Sequence, residues 1–125
     1  MAAKKILIVD DEPVVAKLLK RRFEFHGFNV ETATEGVTAL EKVKAWQPDL
    51  VLLDIVIPGM DGYEICRRLK ATKGSAHIPV IFFTASQGMQ SEEIVREVGA
   101  VRMIQKPFVD QVFEAISKIF SSDNS

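Results

Sequence analysis

Residues 50–59 read Leu-Val-Leu-Leu-Asp-Ile-Val-Ile-Pro-Gly and carry the clearest signal of the fold class. Its first four residues are apolar without alternation, which is typical of a strand buried on both faces of a parallel sheet. A carboxylate, Asp54, follows at once. Four more apolar runs lie elsewhere in the chain, at residues 6–9, 28–33, 80–83 and 101–104. The sequence therefore predicts five strands.

The segments between these runs carry apolar residues at steps of three and four, the period of a helix with one buried face. Val15, Leu19 and Phe23 belong to one such stripe. Strands that alternate with helices predict a single α/β domain, a (βα)₅ doubly wound parallel sheet. We expect this domain to span residues 4–120 and residues 121–125 to form a frayed tail.

Composition narrows the class of protein. The chain has 125 residues, of which 47% are hydrophobic and 26% charged, as in one ordinary globular domain. Its formal net charge of −1 lacks the basic excess of nucleic-acid-binding domains, so we expect no direct nucleic-acid contact. A single cysteine and the absence of an apolar leader predict the cytoplasm. No run approaches the ~20 apolar residues of a membrane span, so no membrane association is expected.

Polar side chains follow four of the five predicted strands. Asp10 and Asp11 follow the first, Asp54 the third, Thr84 the fourth and Lys106 the fifth. In open parallel sheets the carboxyl ends of the strands lie at one edge, where ligands bind. We therefore expect these side chains to lie close together.

Asp54 has two interpretations. A carboxylate among apolar residues costs several kcal/mol if it is buried without a partner. Asp54 therefore has either a structural role, as a helix cap or an ion-pair partner of Lys106, or a role in a metal site. Asp10, Asp11 and Asp54 would repel one another unless a hard cation such as Mg²⁺ lay among them. With Lys106 the four groups carry a net charge of −2, which one Mg²⁺ would neutralise. Such a site suits a phosphoryl group carried on a carboxylate.

Five motifs, in this order, resemble the receiver domain of two-component response regulators. They are Asp10-Asp11, Leu52-Leu53-Asp54-Ile55, Pro58-Gly59-Met60-Asp61-Gly62, Phe83-Thr84-Ala85 and Lys106-Pro107-Phe108. The resemblance spans residues 4–120. It implies a flavodoxin-like sheet with strand order 2-1-3-4-5 and a signalling module rather than an enzyme that turns over a substrate.

The resemblance also implies roles for individual residues. Asp54 would be the phosphoacceptor, and Thr84 and Lys106 would contact the phosphoryl group. The implied Mg²⁺ ligands are Asp10, Asp11, Asp54 and the backbone carbonyl of Val56. The phosphoryl donor would be a histidine kinase or a histidine phosphotransfer protein, and the phosphorylated domain would change its contacts with an output partner that the sequence does not identify. Intrinsic Mg²⁺-dependent autophosphorylation and autodephosphorylation are implied as well.

Three further positions follow from the same resemblance. The family usually has an aromatic switch residue three positions before the lysine, whereas this chain has Met103, a flexible side chain. Val56 and Ser86 occupy the positions that tune the lifetime of the acyl phosphate. The tight turn at Lys106-Pro107 favours a cis peptide bond, which costs only ~0.5–1 kcal/mol before proline.

A Mg²⁺-dependent phosphohydrolase is the alternative, because such enzymes also use a strand-end aspartate with a lysine and a threonine. Their second aspartate, two residues after the nucleophile, corresponds here to Val56, which has no acid–base chemistry. A flavin site is disfavoured because no phosphate-binding loop follows residues 6–9. The basic residues of the first helical segment form either a solvated face or a docking site for a phosphodonor: Lys17, Lys20, Arg21 and Arg22.

Overall fold

A computed structural model describes residues 3–86 and 91–122 as five strands that alternate with five helices. The strands are β1 (Lys5–Val9), β2 (Asn29–Ala33), β3 (Leu50–Leu53), β4 (Val80–Thr84) and β5 (Arg102–Gln105). The helices are α1 (Pro13–Phe25), α2 (Gly36–Trp46), α3 (Gly62–Ala71), α4 (Glu92–Glu97) and α5 (Val109–Ser122).

All five strands form one parallel sheet in the order β2-β1-β3-β4-β5. The register pairs Val9 with Leu53 and Thr84 with Gln105, so the carboxyl ends of neighbouring strands lie at one edge. The predicted doubly wound fold and strand order are confirmed.

Two apolar cores lie on opposite faces of the sheet, because successive side chains of a strand point to opposite faces. Ile6 and Ile8 pack with α1 and α5, whereas Leu7 and Val9 pack with α2, α3 and α4. All four residues of β3 and all five of β4 are buried, as expected of central strands covered on both faces.

Local signals in the sequence account for several element boundaries. Pro13 opens α1, where its missing N–H costs nothing, and the Asp61 carboxylate caps α3 by accepting the Glu64 N–H at 2.9 Å. The last strand covers Arg102–Gln105 rather than residues 101–104, because Val101 belongs to the connection from α4.

The C-terminal end differs in part from expectation. Helix α5 continues through Ser121 and Ser122, and the rest of the expected tail, residues 123–125, lies outside the described residues. Among the helices in the described part of the chain, none has the length and apolar character to cross a membrane.

Candidate functional site at the carboxyl edge of the sheet

Backbone hydrogen bonds bring the predicted polar residues to one edge of the sheet. The Asp54 N–H donates to the Val9 carbonyl at 2.9 Å, which sets Asp54 beside the end of β1. The Lys106 N–H donates to the Thr84 carbonyl at 2.9 Å, which sets Lys106 beside the end of β4. Strand pairing therefore fixes the backbone on which each of these side chains is carried.

Lys106 joins two aspartates. Its ammonium lies 2.6 Å from Oδ2 of Asp10 and 3.0 Å from Oδ2 of Asp54. The three side chains are only 13%, 3% and 8% exposed, respectively, so solvent screens these pairs weakly. Burial alone lowers the pKa of Lys106, but the hydrogen bonds and charges of the two aspartates outweigh it and raise that pKa above its usual value.

The second oxygen of each aspartate accepts a backbone N–H from two residues further on. Glu12 donates to Oδ1 of Asp10 at 3.0 Å, and Val56 donates to Oδ1 of Asp54 at 3.3 Å. Each carboxylate is therefore held on both oxygens, by a loop amide on one side and by Lys106 on the other. This arrangement orients the two aspartates before any ligand arrives.

The acidic run after β1 forms a cluster of oxygen donors. Carboxylate oxygens of Asp10, Asp11 and Glu12 lie within 4.8 Å of one another. Glu12 was not among the residues predicted for the site, although its place in the run Asp10-Asp11-Glu12 was a usable signal. A set of carboxylate oxygens with access to solvent suits Mg²⁺, which keeps several waters when it binds.

Gly62 fits closely against the backbone at Asp54. A Cβ built on Gly62 would overlap the Asp54 carbonyl oxygen and lie 2.8 Å from Cα of Ile55. The Gly62 N–H also donates to the Ile55 carbonyl at 2.7 Å. The first residue of α3 therefore rests directly on the chain that carries Asp54, and only glycine leaves room for this contact.

The remaining predicted residues lie on or just after β3, β4 and β5. Thr84 is fully buried, and its hydroxyl accepts the Ser86 N–H at 3.2 Å. Val56 is 49% exposed beside Asp54, and the Lys106–Pro107 peptide bond is cis. Met103 lies opposite Phe82 in the β4–β5 register and packs, partly buried, against the core shared by α2, α3 and α4.

The fold and the site together define a flavodoxin-like α/β module with an acidic, lysine-bridged pocket at the carboxyl edge of its sheet. The family model of the response regulator receiver domain matches residues 6–118. The chain belongs to this family. Members of the family are signalling phosphoacceptors that bind Mg²⁺ at an acidic pocket, are phosphorylated by kinases and act on output partners.

Two curated relatives illustrate the similarity in sequence. The alkaline phosphatase synthesis transcriptional regulatory protein PhoP of Bacillus subtilis is 38% identical over 105 residues, which cover 84% of this chain and 43% of the relative. The response regulator MprA of Mycobacterium ulcerans is 36% identical over 104 residues, which cover 83% of this chain and 44% of the relative. The chain thus matches less than half the length of these relatives.

Solved structures show the same architecture. A response regulator from Chloroflexus aurantiacus superposes with a TM-score of 0.87 at 28% identity, covering 95% of this chain and 98% of that one. The response regulator TrrA of Thermotoga maritima, solved in complex with Mg²⁺ and BeF, superposes with a TM-score of 0.83 at 34% identity, covering 92% of this chain and 97% of that one.

Proposed function

We propose that Asp54 accepts a phosphoryl group from a histidine kinase or a histidine phosphotransfer protein in a Mg²⁺-dependent reaction. The observation that carries this proposal is the Lys106 ammonium, which holds Asp54 beside Asp10 at the edge of the sheet. Within the described residues, no other aspartate shares a lysine with the acidic run after β1. Family membership and the structure of TrrA with Mg²⁺ and BeF support the same function.

The proposed phosphoryl transfer is a single displacement at phosphorus. An Asp54 carboxylate oxygen attacks the phosphorus of the donor phosphohistidine, and a bond between that oxygen and phosphorus forms. The bond from phosphorus to the imidazole nitrogen breaks, its electron pair stays on that nitrogen, and the nitrogen takes up a proton from solvent to give neutral histidine. The Val56 N–H and the Lys106 ammonium orient the two Asp54 oxygens for this attack.

Asp10, Asp11, Asp54 and the backbone carbonyl of Val56 would hold the Mg²⁺. When bound, the cation neutralises charge that develops on the transferring phosphoryl oxygens. The residues present fit it, because three aspartates and Lys106 carry a net charge of −2 and all the proposed ligand atoms are oxygens. Glu12 lies with Asp10 and Asp11 and adds a further acidic group to the rim of this cluster.

Thr84 and Lys106 are the proposed contacts of the phosphoryl group. Lys106 already faces Asp54 and supplies an ammonium for one phosphoryl oxygen. The Thr84 hydroxyl accepts the Ser86 N–H, which leaves its own hydrogen to donate. A hydroxyl that turned towards a phosphoryl group would also displace the Ser86 N–H that it accepts.

Val56 and Ser86 would set the lifetime of the acyl phosphate. Val56 is half exposed at the mouth of the pocket, where an apolar side chain hinders the approach of water to the phosphorus. Intrinsic Mg²⁺-dependent autophosphorylation by small donors and autodephosphorylation belong to the same proposal. The phosphorylated domain would then change its contacts with an output partner, and we place this activity in the cytoplasm, without direct contact with nucleic acid or membrane.

The decisive experiment measures incorporation of phosphoryl from acetyl phosphate and Mg²⁺ by intact mass spectrometry. We expect one phosphoryl group that hydroxylamine removes, and no incorporation into Asp54→Asn or in the presence of a chelator. Asp61→Asn is the matched control, because asparagine caps a helix about as well as aspartate and leaves the pocket intact. Incorporation that persists in Asp54→Asn would refute the assignment.

A further inference from the structure

A cleft opens between α2 and α3 at the edge of the sheet opposite Asp54. Both helices end there, since α2 leads into β3 and the segment after α3 leads into β4. The cleft has a volume of about 590 Å³, which lies within the ~300–1,000 Å³ of small-molecule sites in proteins. Among the residues that the structure describes, none lines both this cleft and the pocket around Lys106. The cleft is therefore a separate feature that the proposed function does not use.

Apolar side chains from both helices line the cleft. Leu40 and Val43 belong to α2, where they are three positions apart on one helix face, and Leu69 belongs to α3. Val43 and Leu69 are buried in the core on this side of the sheet, and Leu40 packs, partly buried, against the same core. A ligand that covers these three side chains must therefore have an apolar body, because only apolar surface gains by leaving water there.

Polar side chains of the cleft are engaged with the ends of the two helices. The last turn of a helix has free carbonyl groups, which form the negative end of its dipole. The Gln47 side-chain amide donates to the Val43 carbonyl at 3.1 Å. The Thr72 and Ser75 hydroxyls donate to carbonyls in the last turn of α3, at 2.8 and 2.7 Å respectively. These bonds satisfy carbonyls that would otherwise oppose an anion, so the charged side chains determine which ligands suit the cleft.

The charged residues of the cleft are positive. Lys44 lines it from α2 and Arg68 from α3, and no aspartate or glutamate of the described residues lines it. Arg68 already pairs with Glu64 at 3.0 Å. Lys44 is exposed and makes no ion pair in the part of the chain that the structure describes. One unpaired cation beside apolar walls favours a ligand with a single negative charge.

We propose that the cleft between α2 and α3 binds a small amphipathic carboxylate, a molecule with an apolar body and one carboxylate group. The apolar body covers Leu40, Val43 and Leu69, and the carboxylate pairs with Lys44 while Arg68 lines the facing wall. Such a ligand contacts two helices of the folded chain at once, so its binding stabilises the folded state. The inference goes beyond the proposed function and does not depend on phosphorylation of Asp54.

The test titrates the full chain with decanoate, below the concentration at which it forms micelles, in an isothermal titration calorimeter. We expect one saturable site per chain and a melting temperature that rises with decanoate concentration. Decanol has the same tail without the charge and should bind about fivefold more weakly. Lys44→Met should weaken decanoate binding by about the same factor and leave decanol binding unchanged. Lys17→Met is the matched control, because Lys17 is an exposed lysine of α1 on the other face of the sheet, and it should bind decanoate like wild type.

Methyl NMR locates the bound decanoate. The methyl resonances of Leu40, Val43 and Leu69 should shift during the titration, whereas those of Val14 and Leu18, which are exposed on α1, should not. Absence of binding, binding without saturation, shifts centred on α1, or equal decanoate affinity in Lys44→Met and wild type would each overturn the inference. Each of these results would leave the proposed function standing.

Discussion

The Lys106 ammonium lies closer to Asp10, at 2.6 Å, than to Asp54, at 3.0 Å. One lysine therefore serves two buried carboxylates from neighbouring strand ends. Removing one partner of a buried pair costs far more than the pair itself contributes, because it leaves a charge without compensation. A divalent cation would compete with the Lys106 ammonium for Asp10, since Asp10 belongs both to this pair and to the acidic cluster.

Lys106→Met should destabilise the metal-free protein strongly. Asp10 and Asp54 would both lose the ammonium, and we expect the free energy of unfolding in chelator to fall by about 3 kcal/mol, measured by urea denaturation. Added Mg²⁺ should recover more stability in this variant than in wild type, because the cation replaces the lost charge. Lys20→Met breaks an exposed pair with Glu24 and should cost at most about 0.5 kcal/mol. Equal losses in the two variants would contradict the buried bridge.

Asp10 and Asp11 should respond in opposite directions when neutralised in chelator. Asp10 forms an ion pair with the Lys106 ammonium. Asp11 makes no ion pair within residues 3–86 and 91–122, so its charge adds only repulsion to the acidic cluster. We therefore expect Asp11→Asn to raise the melting temperature, by the equivalent of about 0.5–1 kcal/mol, and Asp10→Asn to lower it. Differential scanning calorimetry would decide, and shifts of the same sign would show that the lysine bridge does not separate the two residues.

Gly62→Ala should impair both stability and phosphorylation. The added methyl would overlap the Asp54 carbonyl, so the acceptor backbone must shift, and we expect a loss of about 1–3 kcal/mol in urea denaturation together with slower incorporation from acetyl phosphate. Gly74→Ala is the control, because nothing lies within 4 Å of the point that its new methyl would occupy and the expected change is within about 0.5 kcal/mol. Unchanged phosphorylation in Gly62→Ala would mean that the loop accommodates the methyl without moving Asp54.

Alkaline pH should destabilise the protein partly through Cys66. Burial raises the pKa of this thiol to about 11, against 9.0 for an unperturbed cysteine, while Lys70 and Arg67 oppose the rise. Between these two pH values the unfolded chain loses its thiol proton and the folded chain keeps it, so the free energy of unfolding falls as pH rises. The fall attributable to Cys66 reaches up to about 3 kcal/mol.

Cys66→Ala isolates this contribution. Loss of the thiol and of its hydrogen bond to the Val98 carbonyl lowers stability at every pH, whereas the titration affects only the alkaline range. We expect the stability difference between wild type and Cys66→Ala to shrink from pH 9 to 11 in guanidinium denaturation. Parallel pH profiles would show that the thiol titrates normally in the folded chain.

Local sequence patterns predicted the elements of this fold well. Apolar runs such as Leu50–Leu53 identify buried strands, and Asp61 with Glu64 marks the start of α3, because each signal acts over a few neighbouring residues. The strand ends also grouped Asp54 with Lys106, since parallel topology brings such ends together. The fold class and the centre of the site were therefore accessible from the sequence.

Distances between remote residues were not accessible in the same way. The sequence suggested Lys106 as a partner of Asp54 but did not reveal that Asp10 lies closer to it, because the spacing along a chain does not fix a rotamer. The edge-to-face contact between the rings of Tyr63 and Phe82 depends on how α3 packs on β4. Periodicity places a residue on a face and says nothing about which polar group its tip meets.

The lysine bridge joins residues 96 positions apart, and its ammonium is carried just after β5, which lies beside β4 at the end of the strand order. During synthesis the strands that bear Asp10 and Asp54 emerge before Lys106, whereas a domain of this size folds as a unit. A chain in which β5 has not yet joined the sheet therefore has both carboxylates but lacks the Lys106 ammonium that orients them. The pocket is therefore complete once β5 has joined the sheet, so its reactivity reports that the domain has finished folding.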